Sequence, residues 1–393
     1  MQHPIPLTLG LIPLFPLVEI PPMKTPAALL DERLDRLKKT INLEKTDRTP
    51  MVLMADAFYA KEQGRKIADL CKGIKMANEI MVDSAVSLGG DMDGVTSAFP
   101  AGPLFPLIFM TKVKLPGRDL PDDALWQLDE QEVMTRDDYD TIINKGWNAF
   151  MPGYVMERLG VDLPGIVQDL AYSNQAVKNF EDKGMYVYSE IVTITSNEYL
   201  SGGRSLPKFM RDLFTIPDKV EAALEVIQKE SLEGLRQQIR ACEGKSPVVF
   251  VSPARGASEF FSPKIWERFV FKYIKETVDM VNEEGYVCDI HMDGNWERDL
   301  DYFRAFKKGS VIIETDGVTD MAKVREKLGG HLAIKGDVPA GLLVLGTPDQ
   351  VYKYCTDMIA ANGPGFILSC GCSCPPNAKI ENVKAMISAA TGQ

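Results

Sequence analysis

Short apolar segments alternate with longer amphipathic segments from Gly184 to the C-terminus, and this alternation limits the fold more than any other feature of the chain. The apolar segments have strand length, and the segments between them have helical periodicity. The pattern predicts six strands, at Met185–Val192, Pro247–Val251, Tyr286–His291, Ser310–Ile313, His331–Lys335 and Gly365–Ser369. Strands that alternate with helices pair in parallel, so an α/β fold is predicted.

Two earlier segments complete a set of eight strands. They lie near Pro50–Met54 and Gly94–Ser97, and eight parallel strands with their helices form a (β/α)₈ barrel, the TIM barrel. An open doubly wound sheet is the alternative, but no strand is followed by the GxGxxG turn of its dinucleotide-binding form. We therefore expect a single TIM-barrel domain at residues 25–393, with helical additions near its N-terminus and an extended arm at residues 1–24.

Helices are predicted around the strands. The first is Thr25–Leu43, with Thr25 as N-cap and Pro26 at the first helical position. The others are expected near residues 61–87, 136–149, 164–184, 217–242, 263–284, 296–308, 319–329, 348–362 and 379–390. Residues 99–114 are predicted to form an apolar loop and residues 115–135 an acidic one.

The composition disfavours several classes of protein. A net charge of −11 disfavours nucleic acid as a partner, because phosphate binding needs a basic surface. Residues 1–23 are apolar but contain six prolines, a pattern that fits neither a membrane helix nor a signal peptide. The odd number of cysteines, seven, indicates reduced thiols. We therefore expect a cytoplasmic protein that binds neither nucleic acid nor membrane.

Polar residues follow four successive predicted strands. His291, Asp293 and Asn295 follow one strand, Glu314 follows the next, Asp337 the third, and the run from Cys370 to Cys374 the last. The carboxyl ends of barrel strands meet at one face, which is where barrel enzymes have their active sites. These side chains are therefore predicted to converge on one site.

The residue types indicate a metal site. His291 and Asp293 are two apart, a spacing that puts both side chains on the same face of a strand. Zinc accepts imidazole, carboxylate and thiolate ligands, so we predict a zinc site of His291, Asp293 and Cys372, with Glu314 as a fourth ligand that leaves when substrate arrives. The alternatives are a hydrogen-bonded structural histidine and a packed cysteine turn. Cys370 and Cys374 are expected to pack around the site.

Several segments resemble the uroporphyrinogen decarboxylase superfamily, and the likeness spans about residues 25–390. In that family, a helix with a GTPE-V start precedes the last strand and a P-x-ENV-A helix follows it. The matching segments here are Gly346–Val351, Phe366–Cys374, Ile380–Ala385, Ser262-Pro263 with Phe269 and Tyr273, Asp47–Pro50 and Met134–Tyr139. Lys272 departs from the family pattern, which has proline there. The resemblance implies a TIM barrel.

The resemblance also indicates which branch of the superfamily fits. Decarboxylases have an arginine-rich segment after the first strand, where arginines pair with substrate carboxylates, but residues 54–61 here contain no arginine. The corrinoid-dependent methyltransferases of the superfamily bind zinc through a strand-end His-x-Cys-Gly and a last-strand Gly-Cys-Gly. This chain resembles them at His291–Gly294 and Gly371–Ser373, with Asp293 in place of the first cysteine. A carboxylate ligand makes zinc a stronger Lewis acid toward oxygen, which suits an aryl methyl ether as methyl donor.

The sequence therefore predicts a zinc-dependent methyltransferase (EC 2.1.1.-) that moves a methyl group from a methoxylated aromatic to the cob(I)alamin of a separate corrinoid protein. That partner is expected to dock at the C-terminal face of the barrel and to carry the cobalamin; whether the barrel is a homodimer is left open. Asp56, Tyr59, Asp93 and Asn295 are the predicted catalytic residues, with a carboxylic acid or tyrosine as proton donor. Residues 99–110 and Phe58-Tyr59 are expected to line the aromatic pocket.

Three other functions stay open. A methyl group could move from a methyl-corrinoid to a thiol such as coenzyme M, or to tetrahydrofolate, at the same zinc site. A metal-free, decarboxylase-like enzyme would use carboxylates such as Asp56 or Asp91 instead. A binding scaffold without catalysis is the third, and the convergence of four polar strand ends argues against it.

Overall fold

A computed structural model describes residues 24–89 and 91–392. Apart from Lys24, the predicted arm at residues 1–24 lies outside the described residues. The strands, β1 to β11 in chain order, are Val52–Leu53, Gly94–Val95, Lys112–Lys114, Gln127–Asp129, Tyr186–Val187, Ile191–Ile194, Val248–Ser252, Val287–Met292, Val311–Thr315, Ala333–Val338 and Phe366–Cys370.

Eight strand positions surround a common core, as a TIM barrel requires. One parallel sheet has the order β11-β10-β9-β8-β7-β6, and a second has the order β1-β2-β5. The two sheets meet on one side through a parallel bridge between Met51 and Leu368. On the other side β5 and β6 are consecutive parts of one interrupted strand, and β5 pairs with β2 whereas β6 pairs with β7. The predicted barrel is therefore confirmed, with one interrupted strand in its wall.

Helices cover the outside of the barrel. In the described part of the chain α1 to α17 are Pro26–Ile41, Asp56–Glu62, Ile74–Ser87, Phe105–Phe109, Arg136–Lys145, Trp147–Gly153, Leu163–Leu170, Ser173–Glu181, Ser196–Arg204, Leu206–Thr215, Pro217–Ala241, Pro263–Trp266, Lys272–Glu283, Met321–Leu328, Ala340–Leu345, Pro348–Asn362 and Ile380–Thr391. The strands after residue 240 are buried along almost their whole length, which explains their continuous apolar character.

Local sequence chemistry sets several helix ends. The Thr25 hydroxyl accepts a hydrogen bond from the Ala28 amide at 3.3 Å, and Pro26 occupies the first turn, as predicted. The α16 helix begins with a capping box in which Thr347 and Gln350 satisfy each other's backbone amides.

The structure corrects several predicted elements. The helix expected over residues 61–87 is divided among α2, a 3₁₀ turn at Ile67–Cys71 and α3, with left-handed Gly64 and Gly73 at the breaks. The two predicted loops contain α4 and a hairpin of β3 with β4. The segment predicted as a helix at 296–308 is a 3₁₀ helix, Glu297–Ala305, and the helices α9, α10 and α15 were not predicted.

The described residues were also searched for membrane-spanning helices. Between residues 24 and 392, leaving Gly90 aside, no helix is both long enough and apolar enough to cross a bilayer.

Candidate metal centre

Three polar residues form a row across adjacent strands in the barrel interior. The parallel register pairs His291 of β8 with Glu314 of β9, and Glu314 with Lys335 of β10. All three are buried, and they point into the barrel because residues at paired positions project to the same face of a sheet. A histidine therefore sits at the carboxyl end of β8 with a carboxylate and an ammonium group beside it.

His291, Asp293 and Cys372 bring one potential ligand atom each to within 4.8 Å of one another. The Nε2 atom of His291 lies 3.3 Å from Asp293 Oδ1. Nitrogen and oxygen ligands of a tetrahedral zinc ion, each about 2.0–2.1 Å from it, lie about 3.4 Å apart. The donor types and their spacing thus fit a zinc ion, with a fourth position left for an exchangeable ligand.

The other nitrogen of His291 faces Glu314. Nδ1 lies 2.9 Å from Glu314 Oε2, while Glu314 Oε1 lies 2.7 Å from Lys335 Nζ. Lys335 in turn donates to Asp289 at 3.0 Å. Glu314 therefore lies behind the imidazole, where an orienting carboxylate stands in a histidine metal site, and not with the three converging donors.

Burial and mutual charge set the pKa values of this buried network. Burial lowers the pKa of His291, but Glu314 together with Asp293 and Cys372 outweighs it, so the net direction of the pKa is upward. Burial raises the pKa of Glu314, but Lys335 and His291 together bring it well below its usual range. The pKa of Asp289 is raised because burial outweighs the attraction of Lys335. The network therefore keeps Glu314 ionised and able to accept the Nδ1 proton of His291.

Cys372 reaches the site through an unusual backbone conformation. Its φ of 62° is left-handed, which costs a residue with a Cβ about 1–3 kcal/mol. A Cβ on the preceding Gly371 would come 2.8 Å from the Asp316 carbonyl oxygen, so glycine is required for this close approach. The loop is fixed by hydrogen bonds from the Gly371 amide to Val338 and from the Cys374 amide to Met54. Cys370 and Cys374 are buried in the core, as predicted.

A largely apolar cavity of about 430 Å³ opens beside the three donors. We call it the metal cavity. Its apolar wall comes from α4, the loop before β4, and the strands β6 and β7, through Phe105, Ile108, Phe109, Trp126, Val192 and Phe250. The ring of Phe250 also lies against His291, with the ring centres 5.2 Å apart. Among the described residues that line this cavity, none is arginine or lysine.

Asp56 is the predicted catalytic residue that the structure brings to this cavity. It begins α2 just after β1, and it lines the cavity with His291, Asp293 and Cys372. Burial raises the pKa of Asp56 to about 6, against a hydrogen bond from the Ala101 amide that lowers it. A carboxyl group with this pKa carries its proton below about pH 6 and in roughly a tenth of the molecules at pH 7, and in that form it can act as a general acid.

The other three predicted catalytic residues lie elsewhere. Asp93 precedes β2 at the opposite end of the barrel, where it pairs with Arg36 and, at 2.6 Å, with Arg48. The Tyr59 side chain is buried behind the cavity wall and is not part of its lining. Asn295 accepts a hydrogen bond from the amide of Glu297, the first residue of the 3₁₀ helix. These three therefore do not belong to the described lining of the metal cavity, and their catalytic roles stay predictions.

The sequence reasoning missed Lys335 and Asp289. Both are completely buried, in mid-strand positions of β10 and β8. The available signal was a charged residue inside an otherwise apolar strand, because such residues are rarely buried unless they are paired. Of the predicted aromatic lining, Phe105 and Phe109 contribute, whereas Phe58 and Tyr59 pack in the core.

Comparison with known proteins places this geometry in context. The family described as Uroporphyrinogen decarboxylase (URO-D) matches residues 193–393, just over half of the chain. The chain is 28% identical over 132 residues to uroporphyrinogen decarboxylase 2, chloroplastic, of Oryza sativa subsp. japonica, a match that covers 33% of each protein. It is 25% identical over 237 residues to uroporphyrinogen decarboxylase of Cellvibrio japonicus (strain Ueda107), covering 56% of this chain and 64% of the relative. The chain thus spans less than two thirds of the length of these curated relatives.

A solved structure is similar over nearly the whole chain. It is a methyltransferase from Methanosarcina mazei, with a TM-score of 0.68 and 15% sequence identity, and the match covers 91% of this chain and 98% of that one. At this identity the likeness concerns the fold, and it agrees with the barrel described above.

Proposed function

The chain belongs to the uroporphyrinogen decarboxylase family, and within that family we propose that it is a zinc-dependent methyltransferase. The proposed reaction moves a methyl group from an aryl methyl ether to the cob(I)alamin of a separate corrinoid protein. The observation that carries this proposal is the convergence of His291, Asp293 and Cys372 beside an apolar cavity.

The charge of the cavity argues against the decarboxylase alternative. A tetrapyrrole with many carboxylates needs basic side chains for binding. The described residues lining the metal cavity include two aspartates and, apart from His291, no cationic side chain. An uncharged aromatic donor fits this lining better, because apolar and aromatic side chains dominate it.

The described residues would divide the work of binding zinc. His291 would bind through Nε2, with Asp293 and Cys372 as the other two protein ligands. Glu314 would hold the imidazole in the required tautomer and orientation, supported by Lys335. This revises the predicted role of Glu314 from fourth ligand to positioning residue.

Bond and proton balance define the role of Asp56. The methyl carbon would pass from the ether oxygen to the partner's corrinoid, which would supply the electron pair of the new bond, and the carbon–oxygen electron pair would stay on the ether oxygen. Bound zinc would supply Lewis acidity toward that oxygen. Asp56, with a pKa raised to about 6, would donate the proton that completes the phenol. The aromatic wall would hold the ring and exclude water.

The corrinoid partner would approach over the carboxyl ends of the strands. The site residues lie on or after β1, β8 and β11, at the barrel face where barrel enzymes bind their substrates. We propose this face as the docking site, which would bring the cobalt to the methyl group while the ether oxygen lies at the zinc.

An anaerobic methyl-transfer assay tests the proposed function. Zinc-loaded protein is mixed with cob(I)alamin and a panel of methoxylated benzenes, and methylcobalamin formation is followed by absorbance. Chelator-sensitive transfer that zinc restores supports the proposal. Transfer from methylcobalamin to coenzyme M or to tetrahydrofolate, without transfer from any ether, would instead favour the reverse direction. Chelator-insensitive activity would contradict a zinc enzyme.

A further inference from the structure

A second cavity of about 410 Å³ lies next to the metal cavity. We call it the side cavity. The two cavities share three lining residues, Ala101, Ile108 and Val192, which form the partition between them. Val192 lies on β6 and is 43% exposed although it belongs to a barrel strand. The side cavity is therefore reached from the site past small and aliphatic side chains only.

The interruption between β5 and β6 creates this opening in the barrel wall. Backbone pairing with β2 continues as far as the hydrogen bond from the Ser189 amide to Thr96, and β6 beyond it forms the edge of the larger sheet. The Ser189 hydroxyl donates its one proton to the Ile191 carbonyl at 2.7 Å, with the Val248 carbonyl 3.2 Å away as an alternative acceptor, and it accepts from the Phe250 amide. Backbone groups on both sides of the interruption are thus hydrogen-bonded to the Ser189 side chain, so the interruption is an ordered part of the barrel wall.

The lining of the side cavity is largely apolar and contains one carboxyl group, with uncharged polar side chains at Ser97, Ser173, Asn174, Ser189 and Gln238. Leu104, Leu170, Val177 and Ile191 are among its aliphatic residues. Glu190 lies at the end away from the partition, because it also lines a surface groove with Asn174 and Val177. Its only described side-chain partner is the Cys242 thiol, with the sulfur 3.6 Å from Oε2. Burial raises the pKa of Glu190 to about 7.

We infer that the side cavity binds a ring substituent of the methyl donor, namely an apolar chain of several carbons that ends in a hydrogen-bond donor facing Glu190. This inference rests on the proposed function, since the ring and its ether oxygen would occupy the metal cavity. It specifies the substrate class as alkyl-substituted aryl methyl ethers rather than bare methoxybenzenes. Val192 is then a residue that determines specificity, because it stands where the substituent leaves the metal cavity.

Binding of product-like phenols tests this inference without requiring methyl transfer. Zinc-loaded wild-type protein is titrated calorimetrically with phenols that carry para-methyl, ethyl, propyl and butyl groups. Burial of each added methylene group predicts about fourfold tighter binding per carbon. In Val192→Trp, which blocks the partition, the dissociation constant is expected to change less than about twofold across the whole series. The matched control is Val167→Trp, at an exposed site away from both cavities, and it should keep the wild-type dependence.

Glu190 is tested with a terminal hydroxyl group. Wild-type protein is expected to bind para-(3-hydroxypropyl)phenol more tightly than para-butylphenol. In Glu190→Leu the butyl compound is expected to bind more tightly, with the ratio of the two dissociation constants changed by at least about tenfold. Equal dependence on chain length in wild type and Val192→Trp, or none in wild type, would overturn the inference. If the phenols bind as expected but no ether is demethylated, the proposed function fails and the side-cavity site stands. If ethers are demethylated at rates that do not depend on the length of the substituent, the proposed function stands and the side-cavity inference fails.

Discussion

Glu314 lies between His291 and Lys335, with its carboxylate 2.9 Å from the imidazole Nδ1 and 2.7 Å from the ammonium group. A completely buried carboxylate in this position faces the ring with one oxygen and has its charge balanced through the other. We therefore propose that Glu314 positions His291.

Replacing Glu314 by glutamine tests this role. Glu314→Gln keeps the size of the side chain but loses its charge, so the imidazole is held less firmly and zinc is expected to bind about 10–100-fold more weakly. Competition with a chromophoric chelator measures the affinity. The number of zinc ions per chain should stay unchanged at saturating metal, because the three ligands remain. Unaltered zinc affinity would show that Glu314 does not position the ligand.

Asp56 predicts a pH dependence. A general acid must carry its proton, and burial raises the pKa of Asp56 to about 6, so the protonated fraction and the rate fall as pH rises through about 6. Asp56→Asn is expected to lower kcat by about 10²–10⁴-fold and to remove this decline. The measurement is kcat against pH with zinc at saturation. Glu62→Gln, at the far end of the same helix, is the control and should leave the profile unchanged. If kcat of Asp56→Asn still falls as pH rises through about 6, the fall is caused by another titrating group.

At the scale of elements, an ion-pair cluster lies at the amino ends of the first barrel strands, opposite the metal cavity. Asp93 precedes β2, accepts a hydrogen bond from the Met51 amide at 2.9 Å, and pairs with Arg36 of α1 and with Arg48. The cluster thus ties α1 and the first two strands together, far from the metal centre. Asp93 was predicted to be catalytic because it is a carboxylate beside a strand. Polar residues flank both ends of a strand, and Asp93 lies at the amino end, away from the face where the metal-site donors converge.

Asp93→Asn separates the structural role from the catalytic one. Arg36 keeps its ion pairs with Glu32 and Asp47 in this variant. Arg48 loses its carboxylate partner, so the free energy of unfolding should drop by about 1–3 kcal/mol. Denaturant unfolding measures this loss. Zinc content and the methyl-transfer rate of the folded variant should equal those of wild type. A stable variant that lacks activity would restore Asp93 to the catalytic set.

Most strands could be predicted from the sequence, whereas several helices could not. Buried parallel strands such as β9 and β11 are continuous apolar runs, so their positions are visible without knowledge of their neighbours. The break between β5 and β6 depends on hydrogen bonds from Ser189 to distant strands. Helix α9 contains Gly202 and Gly203, which lowered its apparent helical propensity, although Gly202 is required by contact with the Phe109 carbonyl.

At the scale of the whole molecule, barrel topology brings together residues that are distant in sequence. The joint placement of His291, Asp293 and Cys372 followed from the rule that strand ends converge, so this part of the candidate site was predictable. The role of each side chain was not, because Glu314 lies in one row with His291 and Lys335 across adjacent strands and not among the three converging donors. The side cavity was also beyond prediction, since it arises from the splitting of the sheet.

The most direct test is the zinc content of anaerobically purified protein, measured by inductively coupled plasma mass spectrometry. Wild type is expected to hold about one zinc ion per chain, and His291→Ala and Cys372→Ala are expected to hold almost none. Cys71→Ala, which removes a thiol outside the metal cavity, should keep the wild-type content and controls for nonspecific thiol binding. Zinc absent from wild type, or retained in both ligand variants, would contradict the metal centre and with it the proposed methyltransferase.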